Sequence, residues 1–159
     1  KRPDLAVEAF TRLGRPLVVI GGPDRTVREL ARKAGANVTF LGPVPFAELK
    51  ARMAACRALI FPGEEDFGIV PVEVMAAGRP VIAYGRGGAL DTVKDGETGL
   101  LFREQSAEGL IAAVERFEAE RLDRLDPAAL AAHAARFDAA AFRGGIAAAL
   151  ADLGVPVPA

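Results

Sequence analysis

The chain has a single cysteine, Cys56, among its 159 residues. An intrachain disulfide is therefore excluded, and a reducing compartment suits the sequence. Histidine is just as scarce. His133 is the only one, set in an alanine-rich stretch with no Cys, His or Asp cluster beside it, so it reads as a structural or surface residue. No metal site and no nucleophile–base pair can be assembled from these residues. No apolar run approaches the roughly 18 residues that a bilayer span needs, and no stretch reads as a signal peptide. Basic residues are scattered, and 20 Lys+Arg against 21 Asp+Glu leave a net charge of −1. A nucleic-acid footprint would need them clustered. Gly85-Arg86-Gly87-Gly88 lacks the Gly-x-Gly-x-x-Gly pattern after a first strand, which disfavours a dinucleotide-dependent dehydrogenase.

What is present is an ordinary globular balance, 51% hydrophobic and 26% charged, in a length that fits one domain around one core. Leu5, Ala6, Ala9, Phe10 and Leu13 fall at helical spacing, with Gly14 as a stop. Residues 17–21 form a continuous apolar run, as expected of a parallel strand buried on both faces. Asp24 is placed to cap a helix over residues 25–34, ended by Gly35. Residues 37–41 read as the next strand, and Pro45 precedes a helix over 46–55. Further strands fall at 58–61, 81–84 and 99–102, with a short helical piece over 89–93 and a turn at Asp95-Gly96. From Ser106 onward strand signals cease. Leu110, Val114 and Phe117 share a helical face, Asp126-Pro127 opens another helix, and a last one covers 139–150. Residues 154–159 read as a disordered tail. Helices alternating with apolar strands predict an α/β fold with a doubly wound parallel sheet, followed by a helical C-terminal segment.

The rest of the chain is organised around residues 61–78. The strand at 58–61 turns through Pro62-Gly63 into a helix that ends at Gly78, with Pro71 tolerated in its first turn. Glu64, Glu65 and Asp66 then lie in a strand-to-helix crevice, where ligands bind in parallel α/β sheets. Free N–H groups around Phe67 to Val70, at the positive end of the helix dipole, suit a phosphate. Carboxylates beside them repel phosphate but accept hydrogen bonds from sugar hydroxyls. Glu73 follows Glu65 by eight positions, so both can border one pocket. A ligand with phosphate and hydroxyls is a nucleotide sugar or a sugar phosphate. Spacing alone leaves a second reading open, a solvated acidic loop.

Glu65-x7-Glu73, with Phe67-Gly68-Ile69-Val70 between and Ala77-Gly78-Arg79-Pro80-Val81-Ile82-Ala83 after, resembles the signature of family 4 retaining glycosyltransferases of the GT-B fold. The opening Lys1-Arg2-Pro3-Asp4-Leu5-Ala6-Val7-Glu8-Ala9-Phe10 is similar to the segment after the first strand of that family's donor domain. Val38-Thr39-Phe40-Leu41-Gly42, Gly87-Gly88 and Asp95-Gly96-Glu97-Thr98-Gly99-Leu100-Leu101-Phe102 follow in the family's order.

The resemblance implies a Rossmann-like domain over residues 1–153, one half of a GT-B fold. It implies Glu65 as the catalytic position, hydrogen-bonded to the transferred sugar, and Glu73 as acceptor from ribose hydroxyls. Lys1 would contact the donor diphosphate, a job for a compact cation. Phe67, Gly68, Ile69 and Val70 would act through backbone N–H groups, and Gly42 and Val44 would offer backbone contacts to the nucleobase. Three departures stand out. Gly21-Gly22-Pro23 is one residue shorter than a family Gly-x-Gly-Pro element, and Asp91 stands where glutamate is usual. The third is an upstream arginine of the family that lies outside this chain, as do a strand and a Gly-rich turn before Lys1. We therefore expect a fragment without its first, central strand and without the N-terminal acceptor domain, with exposed apolar edges and a tendency to dimerise. Arg86 reads as a solvated loop residue.

As a family member the chain would bind an NDP-sugar for retaining transfer to the hydroxyl of an acceptor glycan or lipid, with no metal and no cofactor. The sequence around Lys1 and around Pro62 to Glu73 is most similar to bacterial mannosyltransferases, so GDP-mannose is the favoured donor. A cytoplasmic protein follows, with any membrane contact peripheral and no nucleic-acid partner. Two other readings stay open: a nucleotide-sugar-binding module without turnover, and an epimerase or phosphorylase of the same architecture.

Overall fold

The computed structural model describes residues 1–155. Five parallel strands alternate with helices, in the order α1 (Pro3–Leu13), β1 (Leu17–Ile20), α2 (Asp24–Ala31), β2 (Val38–Gly42), α3 (Phe46–Ala55), β3 (Leu59–Phe61), α4 (Ile69–Ala76), β4 (Val81–Tyr84), α5 (Ala89–Thr92) and β5 (Gly99–Phe102). Three further helices follow: α6 (Ala107–Ala119), α7 (Pro127–Ala134) and α8 (Ala139–Asp152). Single 3-10 turns at Leu122–Arg124 and Ala135–Phe137 separate them.

The expected parallel sheet is present in two pieces. β1 pairs with β2, and β3, β4 and β5 form a second sheet in that order. Between the pieces lies an apolar cleft of about 750 Å³, lined by Val18 and Ile20 of β1, Ile60 and Phe61 of β3, and Phe10 and Phe117 from the helices. The two strands do not close the gap by pairing. Instead, Glu118 of α6 reaches both sides of it, 3.1 Å from Arg15 ahead of β1 and 3.3 Å from Arg57 ahead of β3.

Strand β4 shows why the central sheet is doubly wound. Its residues alternate between two cores, as the two-residue period of a strand requires. Ile82 and Tyr84 pack with Phe10 of α1 and Leu110, Val114 and Phe117 of α6. Val81 and Ala83 pack on the other face, with Met75 of α4, Ala89 and Val93 near α5, and Ala134 of α7. Both faces are covered, so all four residues are buried and an unbroken apolar run is the stable sequence for this strand. Burying a side chain such as Ile82 stabilises the domain by about 1.5–3 kcal/mol.

The boundaries differ from expectation in a few places. Asp24 is the first residue of α2 rather than its cap, Pro23 holding that position in extended conformation. The helix stops at Ala31, three residues short of the expected 34, and β2 runs one residue later than the predicted 37–41. Backbone pairing explains the shift: Gly42 is brought into register with Ile20 by an irregularity after Val19. β1 and β3 are each one residue shorter than read, and α8 continues two residues past 150, to Asp152. Of the tail, Gly154 and Val155 close α8: their N–H groups donate to the carbonyls of Ala151 and Leu150, the pair of hydrogen bonds of a glycine C-cap. Residues 156–159 of the expected tail lie outside the described residues. α8 has no buried residue, and Phe142 and Ile146 stand exposed on it.

Candidate functional site

The site is built on the turn from β3 to α4. Phe61, Pro62 and Gly63 are buried, and the next residues rise into solvent. Gly68 then sits at the cap of α4 in the left-handed region, φ 78°, where a side chain would be strained. Among the described residues no side chain caps this helix. The N–H groups of Ile69 and Val70 therefore point out of the first turn toward whatever occupies the loop. Pro71, third in the helix, has none to offer and is buried in the core instead. Gly78 ends α4 as expected, with the N–H groups of Gly78 and Arg79 donating to Met75 and Val74.

Glu64, Glu65, Asp66, Phe67, Gly68 and Ile69 line an open hollow over this helix start. Lys1 comes to its edge: Nζ lies 2.5 Å from Glu65 Oε1. Residues at opposite ends of the motif map thus meet at one point, a cation beside a carboxylate. The Lys1 side chain is 74% exposed, so the pair adds little stability in water. Its significance is chemical: one spot offers a charge for a phosphate and an acceptor for a hydroxyl. The backbone of Lys1 also lies tight against Gly63, where an added Cβ would come within 2.8 Å of the Lys1 Cα.

The second loop of the site is Gly87-Gly88. The Gly88 N–H donates to the Glu65 carbonyl at 2.8 Å. An added Cβ at Gly87 would fall 2.4 Å from Glu65 O, and one at Gly88 2.4 Å from Phe67 Cα. Two backbones touch here, and only glycine permits it. Arg86 is exposed, in keeping with its reading, and Asp91 is exposed on α5.

Glu73 lies one turn further along α4 and is exposed, but it does not line the hollow over Glu64 to Ile69. Gly42 ends β2 in the other sheet, Val44 follows it, and neither lines the hollow or the inter-sheet cleft. Among the described residues, no three His, Cys, Asp or Glu side chains converge as a metal would require. Burial pushes the Cys56 thiol above its ordinary range, which makes it a poor nucleophile.

Sequence reading did not bring three other residues to this loop. Phe67 packs edge-to-face on Phe137, centroids 5.9 Å apart at 65°. Phe137 packs the same way on His133, at 5.6 Å and 64°. His133 Nε2 in turn lies 2.8 Å from the Thr92 carbonyl at the end of α5. The lone histidine is structural, as read, but its structure supports the acidic loop. Only the four-residue spacing of His133 and Phe137, which puts them on one helical face, was visible in the sequence.

The family model for glycosyl transferases group 1 matches residues 1–136. The chain belongs to that family. Two curated relatives are D-inositol 3-phosphate glycosyltransferases. That of Stackebrandtia nassauensis is 37% identical over 86% of this chain. That of Nocardia farcinica is 35% identical over the same share. The chain spans only about a third of their length, 35% and 34% respectively. Among solved structures, sucrose-phosphate synthase of Thermosynechococcus elongatus superposes with a TM-score of 0.80 at 29% identity, covering 94% of this chain and 41% of that one. Anabaena HepE, solved in complex with UDP and glucose, gives 0.77 at 26% identity, covering 95% of this chain and 45% of its own. The fold is the Rossmann-like half of a GT-B glycosyltransferase. No helix among the described residues is long and apolar enough to cross a membrane.

Proposed function

We propose that residues 1–153 form the donor-binding half of a retaining glycosyltransferase that transfers a sugar from a nucleoside diphosphate to an acceptor hydroxyl. The observation that carries this reading is the meeting of Lys1, Glu65 and the uncapped start of α4 at one hollow. An anion and a polyol are recognised side by side there. Glu65 accepts from hydroxyls of the transferred sugar. The N–H groups of Phe67, Gly68, Ile69 and Val70 hold sugar and phosphate oxygens, and Lys1 neutralises the diphosphate as charge builds on it. Glu73, a turn away, takes the ribose hydroxyls, with Gly42 and Val44 at the base. Catalysis on this reading is positioning and stabilisation of the leaving diphosphate. No metal or cofactor enters it.

The remainder of the protein supplies the acceptor side. The names of the curated relatives make an inositol phosphate the acceptor class to test. For the donor, the resemblance of the motif stretch favours GDP-mannose, whereas HepE was solved with UDP and glucose. The enzyme is cytoplasmic on this reading, with any membrane contact peripheral, and the chain by itself dimerises through its open sheet edges. A binding module without turnover is the second reading, supported by the chain's spanning only 35% of a relative's length.

Calorimetric titration with GDP, UDP, ADP, GDP-mannose and UDP-glucose tests the proposal, with Glu73→Ala alongside. Selective binding of one nucleotide class, lost in the variant, supports it. Equal, weak binding of all five, unchanged in the variant, overturns it. A turnover assay of the isolated chain separates the two readings, since hydrolysis above blank excludes a pure binding module.

A further inference from the structure

The loop that carries Glu65 is held in a closed circuit of contacts. Its members follow one another: the Glu65 carbonyl accepts from the Gly88 N–H at 2.8 Å. The Gly88 carbonyl accepts from both the Thr92 N–H, at 3.0 Å, and the Thr92 hydroxyl, at 2.9 Å. The Thr92 carbonyl takes His133 Nε2 at 2.8 Å. His133 packs on Phe137, and Phe137 on Phe67, two residues beyond Glu65 in the chain. A carbonyl only accepts, so His133 Nε2 carries a proton and donates. Thr92 is fully buried, which leaves the circuit no slack at its middle.

We propose that His133 and Phe137 are positioning residues for the loop 64–68: they fix the place of the Glu65 carboxylate and of the backbone beside it from the far side of the chain. The physical need is plain. Glu64, Asp66 and Phe67 are all exposed, so core burial does not immobilise the loop. An open, acidic loop of this kind samples many conformations unless ordered by specific contacts. On one flank the Gly88 N–H supplies such a contact, and on the other the Phe137 ring does. Mere core packing would explain Ala134 and Leu130 of α7, which are buried. It does not explain Phe137 and His133. Both are only partly covered, and their ring edges and polar atom meet Phe67 and the α5 carbonyl. The role rests on the donor-binding reading for what the loop does, but the ordering itself stands on the contacts alone.

Amide hydrogen exchange on the whole chain tests the ordering without any ligand. Phe137→Leu keeps an apolar residue and removes the ring edge. Exchange at Gly88, whose N–H donates to the Glu65 carbonyl, then rises roughly three- to ten-fold, the population ratio an aromatic pair commands. Amides of β4 stay as they were. Phe137→Tyr restores protection, and Arg136→Ala, at an exposed neighbour, changes nothing. His133→Leu acts like Phe137→Leu, with a further rise at Gly88. If protection at Gly88 is unchanged in folded Phe137→Leu, or if β4 loosens to the same degree, the proposal falls. A second arm compares affinities for UDP and UDP-glucose, and for GDP and GDP-mannose. Phe137→Leu loses more of the affinity for the sugar nucleotide than of the affinity for the bare diphosphate. Equal loss of both overturns the positioning role. Should the wild-type chain bind no nucleotide, the donor-binding reading fails while the exchange arm still decides the ordering.

Discussion

The Gly88 N–H donates to the Glu65 carbonyl at 2.8 Å, and the two backbones are so close that neither has room for a Cβ on Gly88. Gly88→Ala would place that carbon 2.4 Å from Phe67 O and 2.5 Å from Asp66 O. Backbone atoms yield only by moving a loop, so the substitution costs about 1–3 kcal/mol or more. Gly96→Ala is the matched control. Its φ is 78° but nothing lies within 4 Å, so it carries only left-handed strain of about 1–2 kcal/mol. Urea denaturation ranks the pair, and nucleotide titration adds a second distinction. Gly88→Ala loses donor affinity, while Gly96→Ala keeps it.

Glu73 gives the opposite pattern. It is exposed on α4 and among the described residues makes no ion pair within 4.0 Å. Glu73→Ala therefore leaves stability within about 0.5 kcal/mol. Loss of a charge-assisted hydrogen bond to ribose lowers nucleotide affinity by about 1.5–3 kcal/mol, roughly ten-fold or more. Thermal melting and calorimetry read the two quantities separately. A variant that melts early or binds as tightly as the parent refutes the ribose role.

These two cases also show what the sequence made legible. Local rules placed Asp126 as a cap with Pro127 behind it, and its side chain does accept from the Ala128 N–H. β4 and β5 fell where continuous apolar runs put them, because burial on both faces admits no polar residue. The Gly87-Gly88 turn and the Glu65 loop were each visible, both in the family's order. Their contact was not legible, nor was the Phe67–Phe137–His133 packing, since aromatic pairs between distant segments leave no periodic trace. The split of the sheet was foreseen as a gap. Its outcome depended on Glu118 of α6, an exposed-looking helix residue that meets arginines from both sides.

That residue carries a pH prediction. The hydrogen bond from Arg15 holds the Glu118 carboxyl below the usual carboxylate range, with Arg57 adding to the effect. A carboxylate whose folded-state pKa is depressed binds its proton more readily in the unfolded chain. The stabilisation is therefore fully present above the unfolded value of about 4.3 and is lost as pH falls through the folded value. Both arginines are more than half exposed, so solvent screening keeps the contribution to about 1 kcal/mol or less. Glu118→Gln flattens the acid limb of the stability curve below about pH 4.3 and leaves the shape above pH 6 unchanged. Denaturant midpoints at a series of pH values decide it. An acid limb of unchanged slope in Glu118→Gln shows that the carboxylate contributes nothing.

The cleft between the two sheets makes the last prediction. Among the described residues β1 pairs only with β2, and β3 only with β4, so each presents one open edge toward the cleft. Unpaired N–H and C=O groups along such an edge template pairing with another chain. Val18 of β1 is 45% exposed and lines the cleft, which adds an apolar incentive to the polar one. The isolated chain should therefore self-associate as its concentration rises, and light scattering should show a mass above that of one chain. Val18→Lys puts a charge on the same strand, the device natural edge strands use against pairing. It should return the mass to that of a monomer without altering the α1–α6 core, in which Val18 takes no part. A wild-type chain that stays monomeric at high concentration would count against self-association through these edges.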